Sequence, residues 1–225
     1  MAIKLKTTKD LHQTGVKMLC YGHAGAGKTT LIPTMPSPVV LSAEGGLMSI
    51  SGADVPYIEI GSMADLMEAY KWLTESAEAK PFQSVALDSI SEIAEVVLAE
   101  ELRRNKDGRA AYGELNAIMS GAIRAFRDLP ERHVYFTAKC EKAQDETGRI
   151  LYSPAMPGKT LTQQAPYFFD AVFALRVEKN PEGHPQRMLM TDSDGLWLAK
   201  NRAAGRLSMW EAPDLGAIIN KIAGA

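Results

Sequence analysis

Residues 22–29 read Gly22-His23-Ala24-Gly25-Ala26-Gly27-Lys28-Thr29, a complete G-x-x-x-x-G-K-[ST] phosphate-loop spacing. No other feature limits the fold as much, because this loop works only between a buried strand and a helix. Its glycines let backbone N–H groups wrap a phosphate chain without side-chain interference. Lys28 reaches the β- and γ-phosphates, and the Thr29 hydroxyl can hold Mg²⁺. Both flanks agree. Val16-Lys17-Met18-Leu19-Cys20-Tyr21 is an apolar, strand-like run, and Thr29-Thr30-Leu31-Ile32 can open a helix whose N-terminus faces an anion. Gly22 through Thr30 is therefore the candidate nucleotide-binding segment. The plain alternative is a Gly-rich turn with a solvated lysine.

A chain of 225 residues, 46% hydrophobic and 23% charged, suits one α/β domain with a sizeable core, taken here as residues 1–225. Its net charge of −2 means that a polyanion site must be a local patch or must be built by assembly. The two cysteines, Cys20 and Cys140, lie far apart, which suggests a reducing setting and gives no hint of zinc. His12, His23, His133 and His184 show no ligand spacing and read as structural or solvated. Met1-Ala2-Ile3-Lys4-Leu5-Lys6 lacks an apolar signal core, and no stretch approaches the ~20 apolar residues of a membrane span. The expected location is the cytoplasm.

Strand and helix patterns alternate, as in a mostly parallel sheet covered on both faces. Strands are expected at Val16–Tyr21, Val39–Ser42, Ser84–Leu87 and His133–Ala138, with hairpin-like strands at Asp170–Arg176, Arg187–Thr191 and Leu196–Ala199 turning near Gly183 and Gly195. Pro33, Pro36 and Pro38 keep the helix after the phosphate loop short. Ser62 caps a helix with Leu66, Met67, Tyr70 and Leu73 on one face. Further helices are expected over Ile90–Leu102 and Tyr112–Leu129, and from Pro213-Asp214-Leu215 through Ile222, with a charged break at Arg103–Arg109. Cys140–Gln164 reads as a polar loop of about 25 residues, a length that is functional or disordered.

An NTPase needs a carboxylate near Mg²⁺ at a buried strand's tip. Asp88, ending Val85-Ala86-Leu87-Asp88, fits that place; its plain alternative is a cap for the following helix. Hydrolysis also needs a group that orients or deprotonates water. Glu44, after the second strand, can accept a water proton if the usual sheet order sets it beside the phosphate loop. The alternative is a surface glutamate.

These motifs resemble the RecA-like recombinase ATPases over roughly Val16 to Leu207. Ala43-Glu44 matches the end of their Asp-Ala-Glu-like stretch, and Asp88-Ser89 matches their metal-side strand end. Lys200-Asn201-Arg202 looks like the basic element that reaches a neighbour's ATP in the filament. The resemblance makes Lys200 and Arg202 trans-acting cations, which otherwise read as solvated. The chain is more specifically similar to the phage single-strand annealing proteins with a RecA core, the Sak-four type. It shares the Pro-interrupted segment after the phosphate loop, Ala43-Glu44-Gly45-Gly46, Arg109-Ala110-Ala111-Tyr112-Gly113 and Pro157-Gly158-Lys159. One departure is Lys139, standing where RecA has a γ-phosphate-sensing glutamine. A lysine there acts as a point charge.

The resemblance implies a RecA-like core, ATP and Mg²⁺, and single-stranded DNA held by two loops. The first holds Arg103, Arg104, Lys106 and Arg109, and the second Lys142, Arg149, Tyr152 and Lys159, with Tyr152 stacking on a base. Both also read as solvated surface loops. Partners implied are other copies of the chain, head-to-tail in a filament or ring with residues 1–15 aiding assembly, and a single-strand DNA-binding protein. The leading expectation is a DNA-stimulated ATPase that anneals or exchanges strands. A nucleotide-gated DNA binder with negligible turnover and a phosphate-loop small-molecule kinase are the alternatives.

Overall fold

A computed structural model describes residues 15–144 and 146–224. The chain runs β1 (Lys17–Tyr21), β2 (Pro38–Ser42), β3 (Tyr57–Glu59), α1 (Met63–Glu75), β4 (Ser84–Asp88), α2 (Ile90–Arg104), α3 (Gly108–Arg127), β5 (His133–Gln144), β6 (Ile150–Ala155), α4 (Lys159–Gln164), β7 (Ala171–Lys179), β8 (Pro185–Met190), β9 (Trp210–Glu211) and α5 (Leu215–Ala223). Short 3₁₀ turns cover Thr29–Thr34, Leu47–Ala53 and Ala165–Phe168.

One sheet orders these strands β3-β2-β4-β5-β1-β7-β8-β9. From β3 to β7 every pairing is parallel, and β8 and β9 add antiparallel strands at one edge. The central strands β1, β2 and β4 and the first halves of β5 and β7 are mostly apolar and buried, as a sheet covered on both faces requires, while β3 at the edge is largely exposed. Leu19, Val39, Leu41, Val85, Leu87, Val134 and Phe136 face a core shared with α1, α2 and α3. Met18, Cys20, Val40, Ala86 and Tyr135 face the other core, covered by the Thr29–Thr34 turn and α5. This is the mixed α/β, mostly parallel phosphate-loop architecture expected from the sequence.

Local chemistry sets the helix starts. Ser62 accepts from the Asp65 N–H and Ser89 from the Glu92 N–H, so each hydroxyl takes up an orphan donor of its helix. Leu66, Ala69 and Leu73 form the buried stripe of α1, with Tyr70 half-buried. Met67, expected on that stripe, is 59% exposed because the stripe is narrower than the sequence spacing suggests. After the phosphate loop the chain makes a 3₁₀ turn rather than an α-helix, with Pro33 inside it.

Three expectations are corrected. Cys140–Gln164 is not a structureless loop, since β5 continues to Gln144 and pairs antiparallel with β6, which is followed by α4. Arg103–Arg109 is not one break: Arg103 and Arg104 close α2, and Arg109 lies in the first turn of α3, capped by Asp107. Leu196–Ala199 makes only one isolated bridge, Trp197 to Tyr152, with a second just beyond it from Lys200 to Val172, and the sheet's last strand is β9 instead. Most of residues 1–15, the expected extension, lie outside the described residues, as does His12. No described helix is long and apolar enough to cross a membrane.

Lys17 is an exception to the apolar strand rule, 7% exposed on β1. Its Nζ donates to the carbonyls of Leu129 (2.9 Å) and Arg132 (2.7 Å), closing the turn after α3. Burial lowers its pKa to about 8, against a smaller opposing pull from Asp170. The folded value is depressed, so the unfolded chain holds the proton longer and Lys17 adds stability as pH rises from about 8 to about 10.4. Lys17→Met should abolish that increment. The wild-type advantage in urea unfolding should grow by about 2 kcal/mol between pH 7 and pH 9.5.

Candidate functional site

The ends of β1, β2, β4 and β5 share one edge of the sheet, because all four run parallel. Open α/β sheets bind ligands at that edge. Gly22 follows β1, and a Cβ there would lie 2.6 Å from the Leu175 carbonyl oxygen of β7, so only glycine fits. Gly25 and Gly27 have φ of 74° and 104°, a conformation open to glycine. Lys28 Nζ lies across the loop, donating to the carbonyls of Gly22 (3.0 Å) and His23 (3.2 Å). Tyr135 Oη donates to the Lys28 carbonyl (3.0 Å), and Thr30 Oγ1 to that of Gly27 (2.8 Å). Arg187 Nε, from β8, donates to the Ala26 carbonyl (2.9 Å).

Asp88 is 2% exposed. Thr29 Oγ1 donates to its Oδ2 (2.8 Å) and Thr137 Oγ1 to its Oδ1. Ser89, not Asp88, caps α2, which removes the helix-cap alternative for the aspartate. The sheet order sets β4 and β5 between β2 and β1, so Glu44 does not adjoin the loop's own strand. It reaches the site sideways: Ser89 Oγ donates to Glu44 Oε1, while the Ala43 and Glu44 N–H groups donate to the Asp88 carbonyl (2.8 and 3.4 Å). Thr29, Asp88, Ser89 and Glu44 thus form one connected line from the phosphate loop.

The donor set fits a hydrated magnesium ion. A threonine hydroxyl and one carboxylate beside a phosphate cradle leave the remaining positions to phosphate oxygens and water, as Mg²⁺ prefers. Among the described residues no group of three or more His, Cys, Asp or Glu could hold a metal by itself. Bound there, Mg²⁺ would neutralise phosphate charge and orient the terminal phosphate.

The other expected cations lie elsewhere. Lys139 Nζ sits between Glu92 and Glu95 of α2, 2.8 Å from each, and these carboxylates raise its pKa. Lys200 pairs through its backbone with Val172, and its Nζ lies 5.9 Å from the Tyr167 ring centre; burial, then Arg202, lowers its pKa. Arg202 meets Asp170 at 3.3 Å. Val172 is level with Leu19, so both basic residues lie toward the end of β7 remote from the phosphate loop.

The expected nucleic-acid residues fall into two groups. Arg104 pairs with Glu101 (2.8 Å) and Glu100 (3.9 Å), and Arg103 Nε donates to the Ala99 carbonyl; Lys106 and Arg109 follow at the α2–α3 corner. Lys159 opens α4 beside Gly158, whose missing Cβ leaves room for Tyr112 of α3. Lys142 and Tyr152 are partners across the β5–β6 hairpin, and the Arg149 guanidinium packs against Gly195.

Tyr152 already has an aromatic partner on one face of its ring. It stacks on Trp197 with centres 4.3 Å apart and rings at 12°. His23 of the phosphate loop meets Trp197 and Tyr152 edge-on, at 5.4 and 5.9 Å. Tyr21 Oη donates to the carbonyls of Tyr152 and Leu198, and Arg176 covers the Trp197 ring. The phosphate loop and the hairpin are therefore one packed unit. Thr137, Arg187 and Trp197 were not singled out from the sequence. Strand register and side-chain packing bring them in, and no motif marks them.

The family model of the AAA domain, AAA_24, matches residues 14–203. The chain belongs to this family. No curated protein matches the chain. As an AAA domain it is a phosphate-loop protein of the nucleotide-binding and NTP-hydrolysing class. The match contains the phosphate loop, Glu44, Asp88 and the Lys200-Asn201-Arg202 element, and ends before β9 and α5.

Trp197 is the residue whose loss should cost this AAA domain most stability near the loop. It is 8% exposed and supports His23, Tyr21, Tyr152 and Arg176 together. Trp197→Ala should destabilise by about 3–5 kcal/mol in urea unfolding, and Trp197→Phe by clearly less.

Proposed function

We propose that this AAA domain hydrolyses Mg-ATP, assembles on single-stranded DNA, and promotes annealing or strand exchange. The observation that carries the hydrolytic part is the connected line from Thr29 through Asp88 and Ser89 to Glu44. It sets a phosphate cradle, a metal-side carboxylate and a proton acceptor on one sheet edge. In this reading Glu44 takes the proton of the attacking water as its oxygen bonds to the γ-phosphorus. The bond to the β-phosphate oxygen breaks, and Lys28 offsets the charge left there. Ser89 aims the Glu44 carboxylate.

Two features support the DNA part. Arg109 lies one turn before Tyr112 and Lys159 directly follows Gly158, so both basic residues flank the Tyr112–Gly158 contact. Tyr112 is 42% exposed and offers a ring on which a base could stack. Arg103, Arg104 and Lys106 extend the same corner. Lys142 and Arg149 lie apart, on the hairpin. With a net charge of −2, affinity for DNA must come from many copies contributing few contacts each. Lys200 and Arg202, remote from their own loop, are the cations offered to a neighbour's nucleotide. A single-strand DNA-binding protein is the further partner this reading includes.

The test is steady-state ATP hydrolysis with and without single-stranded DNA across a range of salt. The DNA should raise the rate, and Arg109→Glu with Lys159→Glu should remove the stimulation while leaving DNA-free turnover in place. Glu44→Gln should lower turnover by about 10²–10⁴-fold yet keep ATP-dependent DNA binding. A rate indifferent to DNA at every salt concentration would sink the DNA-dependent part. Turnover indifferent to Glu44→Gln would leave a nucleotide-gated binder.

A further inference from the structure

Arg187 approaches the phosphate loop from a strand that no motif marks. β8 runs antiparallel to β7 with Arg187 opposite Val177, past the end of β1, which is level with Ala174. From there the side chain crosses to the loop, where its Nε donates to the Ala26 carbonyl at 2.9 Å. The contact is close enough to restrict the sequence of the loop. A Cβ on Gly27 would lie 3.0 Å from Arg187 Nε and 3.2 Å from Cδ. Gly27 thus leaves room for the arginine stem as well as adopting its own left-handed φ.

The bond to Ala26 fixes the plane of the guanidinium and uses one of its five donors. Among the described residues the four Nη hydrogens have no partner, and no carboxylate pairs with Arg187. The neighbouring acid Glu178 is taken by Arg176 at 2.5 Å. A planar cation is therefore held against the Ala26–Gly27 stretch of the phosphate loop, next in sequence to Lys28, with no anion partner among the described residues. Such a fork matches phosphate oxygens in geometry and charge.

We propose that Arg187 binds the phosphate chain of the nucleotide in cis, as a second cation with Lys28. The assignment deepens the ATP reading above and rests on it. It also gives the antiparallel edge of the sheet a part in the site, since β8 delivers the arginine.

Calorimetry on the whole chain tests this, with MgATP, MgADP and AMP at low and high KCl. Arg187→Gln should weaken MgATP at least tenfold, weaken AMP less, and make binding less salt-dependent. Arg187→Lys should restore only part of the affinity, because an ammonium lacks the fork. Urea midpoints of the nucleotide-free variants should stay near wild type, since the side chain is exposed. Lys28→Ala serves as the reference for nucleotide binding. If Arg187→Gln matches wild type while Lys28→Ala abolishes binding, the assignment fails and the ATP reading stands. An equal loss for all three nucleotides with unchanged salt dependence would also overturn it, leaving Arg187 only to pin the Ala26 carbonyl. If wild type binds none of the three, both readings fall together.

Discussion

The site depends on how a buried carboxylate is kept satisfied. A carboxylate as enclosed as Asp88 is costly unless its oxygens accept hydrogen bonds. Its two hydroxyl donors come from the start of the 3₁₀ turn and from β5, Thr29 and Thr137. This is a consequence of sheet order. Because β5 lies between β4 and β1, Asp88 reaches Thr29 across β5 at Thr137, and the residue there must be short. Thr137 is short enough to let the carboxylate pass and polar enough to bond to it. A leucine or phenylalanine at that position would both block the path and strand an oxygen.

The second constraint is the aromatic group that backs the loop. Aromatic rings prefer offset stacks and edge-to-face contacts, and both occur around Trp197. The ring of His23 thereby leaves the loop's mouth and becomes part of its wall. Tyr21, the last residue of β1, ties the same group to the backbone of β6 through its hydroxyl. Burial of that hydroxyl raises the Tyr21 pKa and keeps it a donor. Any displacement of the loop must therefore be accommodated by the β5–β6 hairpin, which shares its packing.

Much of this was legible in the sequence where one residue carries both a pattern and a chemistry. The phosphate loop, the strand ending at Asp88 and the serine-capped helix α1 each combine a hydrophobic period with a polar residue at a fixed offset. The β5–β6 hairpin was not legible for the opposite reason. Glu141, Lys142 and Gln144 extend beyond the core, so the strand buries no apolar stripe and leaves no alternation to detect. β3 is three residues long and β9 two, too short to show a period. Tyr152 looked like a stacking residue and is one, but its partner Trp197 lies 45 positions away in a segment without regular structure, where spacing carries no information. The charged run 103–109 shows no helical pattern because its charges mask two helix ends: Arg103 and Arg104 complement the C-terminal dipole of α2, and Asp107 caps α3.

The distribution of cations along β7 bears on how copies meet. Lys28 and Arg187 lie at one end of this strand, and Lys200 and Arg202 toward the other. In the proposed reading one set serves a nucleotide held by its own chain, and the other lies away from it. An assembly in which both sets act on one phosphate chain must set the remote end of one copy against the loop end of the next. That contact is head-to-tail, and a heterologous contact of this kind closes into a ring or continues as a filament according to the rotation between copies. A two-fold dimer meets the same demand only where the two copies lie antiparallel side by side, each presenting its remote end to the other's loop.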